Sequence, residues 1–270
     1  MINWMKYRLL YLAISLLVIG AGTFSAIRWG FKIGIDFTGG SVLEYRLPDG
    51  QTKIIKSGPL DETAKEKIKS DLEKNVGGPV IEVRFENVGP TIGPELVKKT
   101  FYALLIASGA ILLWVAYQFK NIKFGISATL ATIHDSLVLL GSFSLLGHFL
   151  GAEIDFLFVT AMLTILSFSV HDTIVVFDRI RESWKKGDSS MDIYSLANRA
   201  LSQTMVRSLN NSFTIIFMLF ALILMGGETV KWFSVALLIG TVSGTYSSPF
   251  VAVSILVTWD ELQRKLKGKS

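Results

Sequence analysis

No cysteine occurs in the 270 residues, which removes disulfides, thiolate metal centres and cysteine nucleophiles, and leaves the redox compartment unreadable from this residue. Patterns of hydrolytic or nucleotide chemistry are missing as well: the chain has no HExxH, GxSxG or P-loop. No soluble segment carries a basic patch interleaved with aromatics, so the net charge of +5 does not point to nucleic acid. Histidine is scarce, with three in the chain, and most carboxylates lie at the edges of apolar runs, short of the three or four convergent ligands of a metal site. No metal, cofactor or enzymatic activity is expected.

Apolar length is what the chain does have. Half of the residues are hydrophobic and the mean hydropathy is +0.47. A membrane-crossing helix needs roughly 20 mostly apolar residues, and six stretches qualify, near 9–27, 100–118, 124–147, 155–177, 204–225 and 232–257. The first resembles a signal peptide in its basic start and in Phe24, Ser25 and Ala26. Its charge-free run from Leu9 to Ile27 is longer than an ordinary signal core, however, and is read as a retained span.

Six crossings put both termini on one side, and positive charge tells which. Lys6 and Arg8 precede the first span, Lys120 and Lys123 fill the second connection, and Arg179, Arg181, Lys185, Lys186 and Arg199 lie in the fourth, read as a loop. Arg264, Lys265, Lys267 and Lys269 close the chain, whereas the opposite short connections, 148–154 and 226–231, offer only Lys231. Both termini are therefore expected in the cytoplasm and 28–99 outside it, in a cytoplasmic membrane. Trp4, Trp29, Trp114, Trp232 and Trp259 fall near span ends, where indole rings anchor in the headgroup region of the bilayer; Trp184 has no such explanation.

The expected fold is an all-α transmembrane six-helix bundle with one small α+β extracytoplasmic domain, an antiparallel sheet plus a helix. Its parts are a cytoplasmic N-terminus and first span (1–27), the outer domain (28–99), spans two to six (100–257) and a cytoplasmic tail (258–270). In the outer segment twelve Lys or Arg nearly cancel eleven Asp or Glu. Ser41 to Leu47 alternates as a strand, Pro48, Asp49 and Gly50 turn the chain, and Thr52 to Lys56 returns as a second. A helix should start at Pro59, bury Leu60, Ala64, Ile68 and Leu72, and stop at Gly77 and Gly78. Val80 to Val88 follows as a further strand with Val83 and Phe85 on one face.

Charged groups inside the spans carry the functional signal, because each costs at least ~2.5 kcal/mol in hydrocarbon and is kept for ion or proton work. His134 and Asp135 lie about ten residues into span three, roughly 15 Å deep. Asp172, beside His171, and Arg207 lie within about 10 Å of the same cytoplasmic surface and can pair. An Asp facing an Arg stays ionised, and losing that partner raises its proton affinity, which outlines a switch; a static ion pair between helices is the plainer alternative. Arg207, Asn211 and Thr214, with Asn210, form one polar stripe, and Thr160, Thr164, Ser167 and His171 another. The two are expected to face each other across a hydrated interior, with simple polar packing as the alternative. Gly240 and Gly244 make a small-xxx-small step in span six, followed by Tyr246, Ser247 and Ser248, with Pro249 interrupting the helical bonding.

Specific segments complete the reading: GIDFTGG from Gly34 to Gly40, with Asp36, Gly39 and Gly40; VGP from Val88 to Pro90; His134 with Asp135; DTIVVFDRIRE from Asp172 to Glu182, with Thr173; and GTYSS from Gly244 to Ser248. In these segments, spread over nearly its whole length, the chain resembles the SecF family, accessory subunits of the Sec protein translocase related to the resistance-nodulation-division transporters. GIDFTGG alone would also suit the sister subunit SecD, and length with a single modest outer domain favours SecF. The resemblance implies a six-helix subunit that pairs with SecD in a pseudo-symmetric twelve-helix unit, associates with the Sec translocation channel, and uses the proton or sodium gradient to draw exported unfolded polypeptides outward. Asp172 matches the family's intramembrane carboxylate and Arg207 its partner; His171 stands where the family has Asn. The alternatives are a small-molecule or ion exporter of the resistance-nodulation-division type and a pure assembly scaffold.

Overall fold

The computed structural model describes residues 3–89, 92–185, 192–266 and 268. Pro90, Lys186, Lys267 and Lys269, named above, lie outside them. In chain order a 3-10 turn (Trp4–Tyr7) leads into α1 (Arg8–Trp29), α2 (Ile35–Thr38), β1 (Gly40–Arg46), β2 (Thr52–Ser57), α3 (Glu62–Val76) and β3 (Ile81–Val88). Then come α4 (Ile92–Phe119), α5 (Ile122–Leu150), α6 (Phe156–Lys185), α7 (Ile193–Met225), α8 (Glu228–Ser247), a π-helical turn (Ser248–Ala252) and α9 (Val253–Leu266). Six helical stretches are long and apolar enough to cross a membrane: Trp4–Trp29, Glu95–Phe119, Ile122–Leu150, Phe156–Lys185, Ile193–Met225 and Val230–Leu266.

Two compact units result. One comprises Met1–Lys32, Leu104–Glu153 and Leu157–Ser270; the other comprises Ile33–Ala103 with Ile154–Phe156.

In the smaller unit β1 pairs antiparallel with both neighbours, giving the order β2-β1-β3. Leu43 and Tyr45 of β1 are fully buried beneath α3, against Leu72 and Val80, with Leu60, Ile68 and Phe85 at the edge of this core. The helix starts three residues later than Pro59 suggests. Asp61 wins the N-cap because its carboxylate accepts from Ala64 N at 2.8 Å, satisfying an otherwise orphaned donor. Gly77 ends the helix in the left-handed region at φ 72°, which a side chain resists. A bulge overturns the expected pairing of Val83 with Phe85: Glu44 faces Arg84 but Tyr45 faces Glu82, so Val83 is the extra residue and is exposed. Glu82 consequently meets Lys65 at 3.0 Å, and that bond raises the Lys65 ammonium's proton affinity.

The larger unit is held by close backbone approach at one place and by aromatic packing at another. Gly22 of α1 and Gly141 of α5 meet so closely that a Cβ on Gly22 would sit 2.8 Å from the Gly141 Cα, and Ser25 and Ser144 share a hydrogen bond of 2.7 Å beside them. Phe119 stacks on Phe124 at 5.1 Å, and Phe177 meets both edge-on. That cluster also buries Met5, Ile180, Leu196, Leu201 and Leu256. Ion pairs close the same end: Arg8 grips Glu261 through two bonds of 2.6 Å, and Lys123 reaches Asp260 at 2.7 Å.

The connection expected as a loop after span four is mostly helix, since α6 runs to Lys185 and α7 begins at Ile193. Charged residues alternate there with buried Phe177, Ile180 and Ser183, so one face stays packed beyond the apolar run. Trp184 belongs to this helical extension.

Two outcomes test these ends. Asp61→Ala should cost about 1 kcal/mol, read as roughly fivefold faster amide exchange across 62–76 in the intact protein. Asp192 caps α7 through Ser195, whose hydroxyl and amide bonds hold its carboxyl below the ordinary range. A carboxyl depressed on folding contributes stability that is complete above the unfolded value of about 3.9 and is lost as pH falls through the folded one. Acid should therefore loosen the first turn of α7 in the wild type, whereas Asp192→Ala should exchange faster at neutral pH and lose that acid dependence.

Candidate functional site

Two carboxylates stand inside the helical unit in opposite surroundings. Asp135 of α5 is fully buried. Its Oδ2 accepts from Ser169 Oγ of α6 and Ser247 Oγ of α8, and its Oδ1 from Ser243 Oγ of α8, each at 2.6 Å. His134 Nδ1 lies 3.1 Å from the same Oδ1. Four polar partners from three helices thus surround one carboxylate.

Glycine makes the reach possible. Gly240 lies directly on the Ile165 side chain, and a Cβ at Gly244 would stand 3.3 Å from the Ser169 Cβ. α8 can therefore lie close to α6, which is what lets short serine side chains span the gap. One turn on, Pro249 supplies no amide hydrogen and the helix widens into its π turn. Ser247 and Ser248 are both fully buried there. Ser248 Oγ donates to Ser169 O, and Thr173 Oγ1 donates to Ser169 O and to Ser248 Oγ, all at 3.0 Å.

Asp172 of α6 is 5 % exposed and sits at the wall of a cavity of about 260 Å³ lined by His171, Val175, Val176, Arg207, Ser208 and Asn211. The expected direct pairing with Arg207 is not what holds it. Ser208 Oγ donates to Asp172 Oδ2 at 2.5 Å, and among the described residues no ion pair within 4.0 Å joins Asp172 to Arg207. Consecutive helical residues point about 100° apart, so α7 can aim Ser208 at α6 only by turning Arg207 toward its exposed side. Asp172 is thirteen residues before Lys185 and Arg207 fourteen after Ile193, so both stand roughly 20 Å from those helix ends, deeper than the 10 Å expected from the apolar runs because both helices continue beyond them.

Members of both polar stripes, His171 with Arg207 and Asn211, line that one cavity. Thr160, Thr164, Ser167 and His171 on α6, and Arg207, Asn210, Asn211 and Thr214 on α7, are all exposed on this chain rather than turned into its interior. The reason is packing: α6 turns Ala161, Ile165, Leu166, Ser169 and Thr173 inward, where small or apolar surfaces fit against α8. Thr214 Oγ1 donates to Asn210 O within its own helix.

Asp36, Gly39 and Gly40 belong to the smaller unit and to its architecture. Asp36 Oδ2 accepts from Phe156 N at 2.8 Å, and Gly34 N donates to Ile154 O at 2.9 Å. Gly39 and Gly40 take φ values of 74° and 127°, and a Cβ on Gly40 would meet Ser57 O at 2.8 Å. Among the described residues no three His, Asp or Glu side chains converge to hold a metal.

Sequence reasoning did not single out Ser169, Ser208 or Ser243. A signal existed for the last: Ser243 and Ser247 are four apart and interleave with Gly240 and Gly244, so one helix face carries alternating hydroxyls and gaps.

Six apolar helices around buried carboxylates, with a small α+β insertion after the first, define a multi-pass membrane protein, and residues 68–262 match the family described as "Protein export membrane protein SecD/SecF, C-terminal". Relatives narrow the class. The chain is 39% identical to the protein translocase subunit SecF of Thermobaculum terrenum, covering 96% of this chain and 94% of that one, and 34% identical to the SecF of Anaerolinea thermophila with the same coverage. The crystal structure of SecDF from Thermus thermophilus, titled a translocon-associated membrane protein, superposes with a TM-score of 0.86 at 30% identity over 96% of this chain. This chain spans 39% of that one's length. It belongs to the SecF family of protein translocase subunits.

Gly240→Val should force α8 away from Ile165 and draw Ser243 and Ser247 off Asp135, costing about 1–3 kcal/mol by overpacking. The readout is the thermal unfolding midpoint of the purified protein. Gly20→Ala, where a Cβ meets nothing within 4 Å, should leave the midpoint unchanged.

Proposed function

We propose that this chain acts in Sec-pathway protein export as the SecF subunit: paired with SecD in the cytoplasmic membrane, it couples a proton or sodium gradient to the movement of secreted polypeptides. One observation carries this reading. A guanidinium, an imidazole and six further polar side chains are exposed along two membrane-spanning helices, and the Asp172 carboxylate is buried at the wall of a cavity that His171, Arg207 and Asn211 share. In hydrocarbon that face is costly, so it calls for water or another polar protein surface. A second six-span subunit is the cover that fits, and the full-length likeness to SecF subunits supports SecD in that role. The same naming disfavours a small-molecule exporter.

Both termini lie in the cytoplasm and the α+β unit outside it, as the Lys and Arg bias requires. Protonation of Asp172 removes a charge that attracts Arg207 across the cavity and turns the Ser208 hydroxyl bond from charge-assisted to neutral. α6 and α7 then prefer a different spacing. α1 and α4, which flank the outer unit in sequence, carry the change to it. One charge crossing about 100 mV supplies ~2.3 kcal/mol, which biases a two-state orientation about 50-fold without being able to unfold a cargo. The outer unit therefore holds or ratchets an emerging chain.

Asp172→Asn should abolish the gradient-dependent part of export while assembly with SecD persists, scored by secretion of a reporter and by co-purification. Normal export kinetics in that variant would refute the coupling role. Raised sensitivity to toxic solutes with secretion intact would point to the exporter instead.

A further inference from the structure

α4 is fastened to the larger unit at its C-terminal end. Between Glu95 and Phe119 its two buried residues, Val115 and Phe119, both stand in the closing turns, whereas Tyr102, Ile106 and Leu113 are exposed. Phe119 meets the rings of Phe124 and Phe177, and a Cβ on Gly125 would stand 3.0 Å from the Ala116 Cβ, so α5 begins in close contact with that end. The connection is Lys120, held in the left-handed region at φ 50°, and Asn121, whose side chain accepts from Lys123 N at 3.0 Å. A turn so short fixes the end of α4 in place and leaves the tilt of the helix to be set by contacts at its side.

That side contact comes from α6. Arg181 Nη1 donates at 2.8 Å to Gln118 O, one of the last carbonyls of α4, which no amide of its own helix can satisfy. The guanidinium carbon stands 5.2 Å from the centre of the Phe119 ring, and Nη2 donates to Asp178 Oδ1 at 2.7 Å. Arg179, two residues earlier and so about 200° around the helix, donates instead to Gln203 Oε1 of α7 at 2.5 Å. Gln118, Asp178, Arg179, Gln203 and Arg207 are among the residues lining a cavity of about 420 Å³. α6 thus holds α4 by one arginine and α7 by the other, across a gap.

We infer that Arg181 is the positioning residue through which α6 sets the tilt of α4, and that α4 works as a lever whose long arm continues into the smaller unit. The inference rests on the coupling role proposed for Asp172 and names the contact that role needs. Asp172 is nine residues before Arg181 on one uninterrupted helix, about 14 Å along its axis, so a shift of α6 against α7 reaches the Gln118 carbonyl directly. Each ~10° of tilt about Gln118 carries Ile106, about twelve residues away, through about 3 Å. Arginine is needed because one planar group meets a carbonyl, a carboxylate and a ring face together, which the compact charge of lysine cannot do at once.

The chain has no cysteine, so spin labels can be placed singly. Ile106→Cys on α4 and Phe149→Cys at the end of α5, both exposed in the wild type, report the spread of the two helices by pulsed electron resonance on the full chain with its partner subunit in nanodiscs. Asp172→Asn, standing in for the protonated acid, should change that distance by about 3 Å; adding Arg181→Gln should abolish the change, and Arg181→Lys in its place should restore part of it. With Asp172 intact, Arg181→Gln should cut gradient-dependent export by about fivefold, within the range of a coupling contact, while assembly with the partner persists. An arginine that only braces the fold would lower the thermal unfolding midpoint in Arg181→Gln and leave the Asp172-dependent movement intact, and that result overturns the proposal. An unchanged distance in Asp172→Asn whose export has lost its gradient dependence also overturns it, leaving the coupling role standing and taking α4 out of it. Normal export in Asp172→Asn fails the coupling role itself, and the inference with it.

Discussion

A carboxylate at the middle of a membrane has no water to fall back on, and the helical unit is arranged around that constraint. Low dielectric strengthens every bond to Asp135 and makes every missing one expensive. Three serine hydroxyls meet the demand, but a serine side chain is short, so α6 and α8 must lie nearly in backbone contact. Gly240 and Gly244 remove the obstruction, Pro249 opens the next turn so that neighbouring serines are both buried, and the small and apolar face of α6 takes the inside. The polar face of α6 is left on the outside as a consequence.

The second acid obeys the opposite logic. Asp172 has a single hydroxyl partner from the facing helix, a cavity in front of it and a guanidinium and an imidazole on the rim. A sealed, saturated carboxylate suits structure and storage; one with a vacant side suits exchange with whatever covers it. The two sit on neighbouring helices within one packed unit, joined through the turn from Ser169 to Thr173, so a change in the hold on one alters the footing of the other.

Much of this was legible in the chain itself. Apolar runs of about twenty residues placed all six spans, because a bilayer imposes length directly. Alternation and turn residues located the three strands and α3 of the smaller unit, though not the short α2. Periodicity could not foresee the bulge at Val83, which depends on how β1 and β3 register, nor the N-cap at Asp61 displacing Pro59, which is settled by one hydrogen bond. The two charged pairs were visible as ionisable groups in hydrocarbon. Their partners were not, since a serine that donates across a helix interface looks in sequence like any small polar residue. Where the polar stripes lie was not legible for a related reason: helical spacing says that residues share a side, but only packing decides whether that side is turned into this chain or away from it.

That outward polar side has a consequence for the life of the molecule before assembly. A newly inserted copy standing alone shows lipid an arginine, a histidine and a row of amides and hydroxyls, a defect in polarity that no side-chain rearrangement within six helices can hide. Until another polar surface covers it, that side is therefore the costliest part of the chain to hold in hydrocarbon.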